Sequence, residues 1–320
     1  MNLSLQNLRY FVTVAELGSV TAAARRLYIS QPSVSAAIKH LELMLGQQLF
    51  VRMPARGVIL TPAGERLLPQ AHALLAQADD FQATAVAPGG KVAGTLRTAC
   101  FVNLAPVYFA DLLARFHSRH PWIQVRFRDG HQEDVLDGVR SGLFELGLTF
   151  DLGGLDDFEV TVLAEVPPQA ILATAHPLAQ GPVVSLKELA PEPLILMDLP
   201  HTRDYFVSLF GELRVRPNLQ HLTTSFEMVR ALAGNGLGYG LLNLIPKSPM
   251  TYDGKEVRAV PISEPLRPLR IVTIRLAQMP LREVSVAFID FARAYFAQSS
   301  ARDDESRRGN HRDLTDSWKG

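Results

Sequence analysis

The residues with the clearest chemical purpose form a small, polar and mildly basic face on a helical pattern that begins at Gln31. Ser30 precedes this pattern as a natural N-cap, and Pro32 is tolerated because first-turn N–H groups have no partner inside a helix. Apolar residues recur on one side at helical spacing, namely Val34, Ile38, Leu41 and Leu45. The opposite side holds residues that can meet base edges and phosphates: Gln31, Ser33, Ser35, Ala36, Lys39 and His40. Such a face over an apolar stripe is typical of a recognition helix in the major groove of DNA.

Two further patterns frame this helix. Ser19 is a natural N-cap for a shorter helix rich in alanine, whose small side chains let another helix approach closely, and Tyr28 lies in the turn between the two. After Gly46, two apolar stretches flank a turn at residues 54–57, which predicts a two-stranded wing. Arginines on both flanks suit contacts with phosphates, and those of the wing also suit the minor groove: Arg25, Arg26, Arg52 and Arg56.

Over about 60 ungapped positions, the N-terminal sequence resembles the LysR-type bacterial transcriptional regulators. The shared residues are Leu8, Phe11, Ser19, Ala22, Ala23, Ala24, Leu27, Ser30, Gln31, Pro32, Val34, Ser35, Ile38, Leu41, Glu42, Gly46, Leu49, Phe50, Leu60, Thr61, Pro62, Ala63 and Gly64. The resemblance implies a sequence-specific regulator whose binding to promoter DNA is controlled by a small-molecule effector. Ala36 departs from a common family pattern, in which a long polar side chain often follows this serine, so base-specific hydrogen bonding from position 36 is excluded.

The composition narrows the class of protein. The 320 residues carry no formal net charge, yet the first 66 hold seven Lys and Arg against three Glu, an excess that favours phosphate contact. Cys100 is the only cysteine, which excludes an intrachain disulfide and a cysteine-rich metal site, and we expect no cofactor. The sequence shows neither a signal peptide nor an apolar run long enough for a membrane span, so we expect a cytoplasmic protein.

A long helical pattern follows the predicted wing. From Gly64 to about residue 87, small and apolar residues recur at alternating intervals of three and four, which is typical of a coiled-coil seam between two copies of a chain. The alternative is that this helix packs on its own winged domain. Pro88, Gly89 and Gly90 then predict a hinge, and the resemblance implies a homodimer and often a homotetramer. The predicted dimer contacts are Leu67, Ala71, Leu74, Ala78 and Phe81.

From Thr95 onward the pattern alternates between strands and helices. Three strands joined by two helices, up to about residue 150, predict a parallel sheet with right-handed crossovers, and a similar order recurs between about residues 165 and 266. A strand at 269–274 and a final helix then bring the chain back to the first lobe. This arrangement resembles the type 2 periplasmic-binding-protein fold of the family's effector domains.

We therefore predict an α+β multidomain protein whose parts differ in fold. In chain order, these are a winged helix-turn-helix DNA-binding domain (1–61), a linker and dimerisation helix with its hinge (62–90), a two-lobed α/β effector-binding domain (91–300) and a disordered tail (301–320). Within the effector domain, the predicted ranges are about 91–163 and 268–300 for lobe I and about 164–267 for lobe II.

In open α/β sheets, ligands bind beyond the carboxyl ends of strands and near helix N-termini. Hydroxyls, an amide and helix N-termini at these places suit a small organic acid, whereas Cys100 and Phe101, where family members often have serine or threonine, favour an aromatic one. The alternatives are that Thr202 and Ser225 are plain N-caps and that Cys100 senses redox state, although no second cysteine can resolve an oxidised thiol. The predicted effector contacts are Cys100, Phe101, Val102, Asn103, Gln132, Thr149, Phe150, His201, Thr202, Thr224 and Ser225.

These features together predict a regulator of transcription and not an enzyme. An enzyme with an accessory DNA-binding head would need convergent catalytic groups, and the sequence shows no activated nucleophile. A solute-binding module would need a secretion signal and would lack a winged head. The expected partners are double-stranded promoter DNA, a small-molecule effector and further copies of the chain, with RNA polymerase as a candidate and no membrane.

Overall fold

The computed structural model describes residues 3–53 and 57–298. Arg56 and the tail predicted at 301–320 lie outside the described residues. Within those two ranges, no helix has both the length and the apolar character that crossing a membrane requires.

The N-terminal domain is the predicted winged helix-turn-helix. Ser19 and Ser30 cap the second and third helices with their hydroxyl oxygens, which confirms both predicted N-caps. The first and third helices end at Gly18 and Gly46, where φ angles of 58° and 66° place the backbone in the left-handed region that stops a helix. The elements are α1 (Leu5–Leu17), α2 (Val20–Leu27), α3 (Gln31–Leu45) and the antiparallel wing strands β1 (Phe50–Met53) and β2 (Gly57–Leu60).

The linker helix is α4 (Pro62–Val86), and the Thr61 hydroxyl caps it. Leu68, Ala71 and Leu75 are buried in the core of the winged domain. The first half of α4 therefore packs on its own domain, which is the alternative that the sequence left open. The prediction of Ala71 as a dimer contact is therefore wrong, because its methyl group is buried in the core of its own domain.

The second half of α4 is more open. Leu74 is 43% exposed and Phe81 is 80% exposed, while Ala78 is half-buried. Leu67 contacts the edge of the winged-domain core. The part of the predicted seam that this chain leaves uncovered thus runs from Leu74 to Phe81.

The effector domain follows a short turn at Pro88–Gly90. Its strands are β3 (Gly94–Phe101), β4 (Ile123–Gly130), β5 (Leu146–Phe150), β6 (Phe158–Val166), β7 (Gln169–Ala173), β8 (Pro193–Met197), β9 (Asn218–Thr223), β10 (Tyr239–Leu242), β11 (Val257–Pro261) and β12 (Leu269–Leu276). Its helices are α5 (Ala110–Arg119), α6 (Gln132–Arg140), α7 (Leu186–Leu189), α8 (Thr202–Glu212), α9 (Phe226–Gly234) and α10 (283–298), with one π-helical turn at Ala105–Phe109.

These strands form two five-stranded sheets, one for each lobe. The order is β4-β3-β5-β12-β6 in lobe I and β11-β7-β10-β8-β9 in lobe II. The predicted parallel pairing of β3 with β4 and β5 is confirmed, but both sheets are mixed, because β12 runs antiparallel to β5 and β7 runs antiparallel to β10. Buried apolar side chains of the two lobes belong to one continuous core.

The chain passes between the lobes twice, and the two crossovers lie side by side. It leaves lobe I after β6 and returns in β12, and Val166 at the end of β6 pairs with Leu269 at the start of β12. Two adjacent crossovers of this kind permit the lobes to close as a hinge. The cleft between the lobes is therefore the place where a bound molecule can change the shape of the domain.

A buried arginine joins the linker helix to lobe I. Arg282 Nε donates to Asp80 Oδ2 of α4 at 2.6 Å, and Arg282 Nη1 donates to Glu145 Oε1 at 2.6 Å. The same guanidinium donates through Nη2 to the Thr95 carbonyl at 3.1 Å. Because charged partners on both sides satisfy it, this guanidinium can remain buried at the junction.

His72 of α4 is buried at the same junction. Neither ring nitrogen has a hydrogen-bond partner within the described chain, and Glu16 Oε1 lies 3.9 Å from Nε2. Burial, aided by the charge of Arg97, lowers the pKa of His72 to about 3. His72 is therefore neutral at pH 7, because desolvation outweighs the attraction of the Glu16 carboxylate.

Candidate DNA-binding surface and effector cleft

The predicted DNA-reading residues share one face of α3. Val34, Ile38 and Leu41 are buried against the other helices and hold α3 in place. The face turned outward is exposed except for Ser35, which is half-buried, and it comprises Gln31, Pro32, Ser33, Ser35, Ala36, Lys39 and His40. The structure thus brings the sequence-predicted contacts of α3 together on one surface.

Local hydrogen bonds order the start of this face. Gln31 Nε2 donates to Ser35 Oγ at 3.0 Å, and the hydroxyls of Ser30 and Ser33 lie 2.7 Å apart. The Ser30 hydroxyl also caps α3. The Gln31 amide is therefore held along the helix surface before any DNA is met, which lowers the entropy lost on binding.

The wing is fixed to α3 by a carboxylate. Glu42 Oε1 accepts hydrogen bonds from the N–H groups of Leu49 and Phe50, at 2.8 and 3.3 Å. A groove between α3 and β1 results, and Lys39 and Arg52 line it. Because both cations face the same groove, α3 and the wing can contact one stretch of DNA together.

Basic side chains also lie in front of α3. Arg25 and Arg26 are exposed in the last turn of α2. Tyr28, for which the sequence indicated only a turn, takes a left-handed φ of 56° and is 95% exposed. Its phenol can exchange hydrogen bonds with a phosphate, so Tyr28 is a further candidate contact beside Arg25 and Arg26.

The effector cleft lies between the lobes, at the carboxyl ends of β3, β5, β8 and β10. The space between its lining atoms, part of which is open to solvent, is about 310 Å³. Phe101 and Phe150 meet edge to face, with ring centroids 5.6 Å apart. The lining is mostly apolar: Phe101, Asn103, Phe150, Met197, Thr202, Phe206, Phe226, Leu242, Asn243, Leu244 and Leu269.

The two domains match two parts of one protein family. Residues 5–65 match the family model described as the bacterial regulatory helix-turn-helix protein of the lysR family, and residues 89–297 match the LysR substrate binding domain. The chain belongs to the LysR family. It is a DNA-binding transcriptional regulator with an effector-binding domain and not an enzyme, and LysR regulators bind promoter DNA and small-molecule effectors and form oligomers.

Relatives cover most of the chain. The uncharacterized HTH-type transcriptional regulator YnfL of Escherichia coli is 33% identical over 270 residues, which are 82% of this chain and 89% of YnfL. The crystal structure of HinK, a LysR family transcriptional regulator from Pseudomonas aeruginosa, is 39% identical and matches with a TM-score of 0.63, covering 92% of this chain and 99% of HinK. The C-terminal domain of a probable LysR family regulator from Rhodococcus sp. RHA1 is 30% identical, with a TM-score of 0.60 over 63% of this chain and 99% of that structure.

In this LysR protein, only some predicted effector contacts line the cleft. Phe101, Asn103, Phe150 and Thr202 do. Side chains alternate along a strand, so the neighbours of Phe101 and Phe150 point to other faces of the sheet. The predicted residues that do not line the cleft are Cys100, Val102, Gln132, Thr149, His201, Thr224 and Ser225.

Cys100 lies fully buried in the core. Burial, with the nearby charge of Asp129, raises the pKa of its thiol far above the usual range, so the reactive thiolate is disfavoured. This placement contradicts the alternative of a redox-sensing thiol.

Thr149 and Gln132 are buried on the α6 side of lobe I. The Gln132 amide donates to the Gly153 carbonyl at 3.1 Å. Its oxygen and the Thr149 hydroxyl have no hydrogen-bond partner within the described chain. Val102 lies at the end of β3, and its N–H donates to the Gly130 carbonyl at 2.8 Å.

In lobe II, the choice between N-cap and ligand contact is resolved differently for each residue. The Ser225 hydroxyl accepts from the Met228 N–H at 3.3 Å, so the N-cap reading of Ser225 is confirmed. Thr202 is the first residue of α8 and not its cap. His201 lines a separate surface groove beside Arg267, and Thr224 is exposed.

Asn243 is the polar cleft residue that the sequence analysis missed. It is 7% exposed, and it directly follows β10. The rule of strand carboxyl ends, applied to β10, which ends at Leu242, would have found it. Phe206 and Phe226 line the cleft from α8 and α9. They were missed because the sequence pattern does not distinguish them from core residues of these helices.

Proposed function

We propose that α3 reads an operator in the major groove and that a small molecule bound between the lobes controls the geometry of the bound assembly. One observation supports the DNA-reading half most directly: an exposed polar face lies over the buried Val34, Ile38 and Leu41, with exposed arginines on both flanks. Because its target is chromosomal promoter DNA, we place the protein in the cytoplasm.

Each side chain of the DNA surface has a proposed role. Gln31 reads a base edge, since its amide can pair with the two groups that adenine shows in the major groove. Ser33, Ser35 and Lys39 bond bases or adjacent phosphates, and Ala36 meets a thymine methyl or leaves space for water. Phosphates are contacted by Arg25, Arg26, Arg52 and Arg56, and Pro32 lies in the first turn of α3.

The oligomer forms, in this proposal, along the uncovered part of α4. Leu74 and Phe81 are exposed at helical spacing, with Ala78 between them and Leu67 at the edge. A two-fold pair of heads would read two half-sites, which raises both affinity and specificity. Two such dimers can form a tetramer, and RNA polymerase is a candidate partner of the assembled complex.

The effector acts, we infer, by favouring one arrangement of the lobes. A ligand that binds both arrangements equally shifts nothing, so its contacts must differ between the open and closed cleft. The cleft meets this condition because side chains of both lobes line it, including Phe150 of lobe I and Phe206 of lobe II.

Footprinting with the purified full chain on the DNA upstream of its own gene tests the proposal. We expect two protected half-sites on one face of the duplex. The variant Phe81→Glu should lower the fraction of dimer measured by sedimentation and weaken the protection of the DNA. Tyr252→Glu, at a similarly exposed aromatic residue of lobe II, should change neither quantity. Sequence-specific protection by a monomer would contradict the proposed dimer, and no protection on neighbouring promoters would contradict the proposed operator.

A further inference from the structure

Asn243 leaves one buried hydrogen-bond acceptor in the effector cleft. Its Nδ2 donates to the Val166 carbonyl at 2.8 Å and to the Tyr205 hydroxyl at 3.0 Å. Its Oδ1 is buried and has no hydrogen-bond partner within the described chain. Because a buried acceptor without a donor is costly, this atom needs an explanation.

The orientation of the Asn243 amide is fixed by its neighbours. The Val166 carbonyl can only accept a hydrogen bond. The Tyr205 hydroxyl already donates to the Arg267 carbonyl at 2.8 Å, so it too must accept from Asn243. Turning the amide over would set its oxygen against the Val166 carbonyl, and therefore the nitrogen faces these two residues. Neither of them lines the cleft, whereas Asn243 does, so Oδ1 is the atom left for a molecule in the cleft.

The rest of the cleft does not suit an anion. Among its described lining residues there is no Lys, Arg or His. The first-turn N–H groups of α8 are largely used, since those of Thr202, Arg203 and Tyr205 donate to carbonyls of residues 199–201. The first turns of α8 and α9 also carry their own carboxylates, Asp204 and Glu227, which occupy the favourable ends of the helix dipoles.

We infer that the cleft takes an uncharged, flat, apolar molecule that carries an N–H or O–H group and donates it to Asn243 Oδ1. This inference rests on the proposed effector role of the cleft, and it replaces the organic acid expected from the sequence. Aromatic side chains of both lobes would hold the ring, and the buried Asn243 Oδ1 would orient it.

The same hydrogen bonds connect the ligand to both crossovers. Asn243 bonds Val166, the last residue of β6, and Tyr205 bonds Arg267, two residues before β12. A donor on Oδ1 polarises the amide and strengthens its N–H bonds to these segments. Asn243 is thus the residue through which occupancy of the cleft reaches the hinge.

Titration calorimetry of the unaltered full-length protein with phenol, anisole and benzoate tests the inference. Phenol and anisole share the ring, but only phenol has a donor, and benzoate adds a negative charge. We expect phenol to bind about threefold to tenfold more tightly than anisole, which is the effect of about one hydrogen bond, and benzoate to bind most weakly. Equal or tighter binding of anisole, tightest binding of benzoate, or no binding of these rings at 10 mM would each overturn the inference.

A pair of variants locates the acceptor. Asn243→Leu should abolish the preference for phenol over anisole, while Asn218→Leu, at an asparagine of lobe II outside the cleft, should leave it intact. If Asn243→Leu still preferred phenol over anisole, the inference would be overturned. If that variant does not fold, the comparison of the three ligands on the unaltered protein still tests the inference. Footprinting of the same preparation distinguishes failure of this inference from failure of the proposed function. If the protein protects its operator but binds benzoate most tightly, the proposed function stands and the uncharged ligand class is wrong.

Discussion

The DNA-binding head and the effector cleft build their functional surfaces in opposite ways. In the head, Val34 and Ile38 hold α3 in place while Gln31 and Lys39 point outward and contribute little to folding. In the cleft, the lining residues are also core residues, as for Phe150, which is 4% exposed. Function and stability are therefore separable in the head and coupled in the cleft.

Removing a cleft ring should have the largest effect on stability. Phe150→Ala deletes a buried ring and its contact with Phe101, so we expect the free energy of unfolding to fall by about 3–5 kcal/mol. Urea unfolding followed by circular dichroism measures it. Phe127→Ala, which removes a half-exposed ring from the same sheet, should cost less than half as much. Equal losses would show that the cleft is no more coupled to folding than the surface.

Truncating the base-reading side chain should affect binding alone. Gln31→Ala should cost about 1–3 kcal/mol of affinity for the cognate operator, because one bidentate base contact is lost. The free energy of unfolding should stay within about 0.5 kcal/mol, since the side chain is exposed. Fluorescence anisotropy with operator and scrambled duplexes measures the first, and Gln220→Ala in lobe II is the control. An equal loss on the scrambled duplex would contradict base reading.

His72 sharpens the comparison, because it belongs to the linker helix but is buried as cleft residues are. Its folded pKa of about 3 lies below the usual 6.5, so the unfolded chain binds the proton between these values. The contribution of neutral His72 to the free energy of unfolding is present above pH 6.5 and is lost as the pH falls toward 3. The loss at pH 5 is about 2 kcal/mol. Urea unfolding of the wild type and of His72→Leu from pH 8 to 5 measures it, and an identical pH dependence of both would contradict the assignment.

Loss of a wing cation should have the smallest effect. Arg52→Ala should weaken binding to every duplex and lower the slope of log affinity against log salt concentration by about one, because one phosphate contact is lost. Anisotropy titrations at several salt concentrations measure the slope. Arg126→Ala, an exposed arginine of β4, should leave the slope unchanged. A loss confined to the cognate operator would instead assign Arg52 to base reading.

The head was predictable because local chemistry decides it. Ser19 and Ser30 start helices and Gly18 and Gly46 stop them through contacts within a few residues, and those contacts are visible in the sequence. The linker helix was predictable only in part. Its apolar spacing indicates that it must pack, but not whether Ala71 contacts its own domain or a partner, since both would need the same spacing.

The effector domain was harder to predict because long-range pairing decides it. Three strands, β6, β9 and β11, were not predicted. They lie at sheet edges, where exposed polar residues interrupt the apolar pattern. At the cleft, the rule of strand carboxyl ends found the correct positions but not the correct faces. It named Cys100 together with Phe101, although adjacent residues of one strand cannot both face the cleft.

The short turn that joins linker and effector domain contains Gly89 and Gly90, both with positive φ, and by itself it would let the head rotate. Arg282 prevents this, because any rotation would part its guanidinium from Asp80 and leave a buried cation with half its partners. The angle at which the head meets its operator is thus set by a residue that follows Asp80 by 202 positions in the chain. During synthesis, the head can fold long before its orientation relative to the effector domain is fixed.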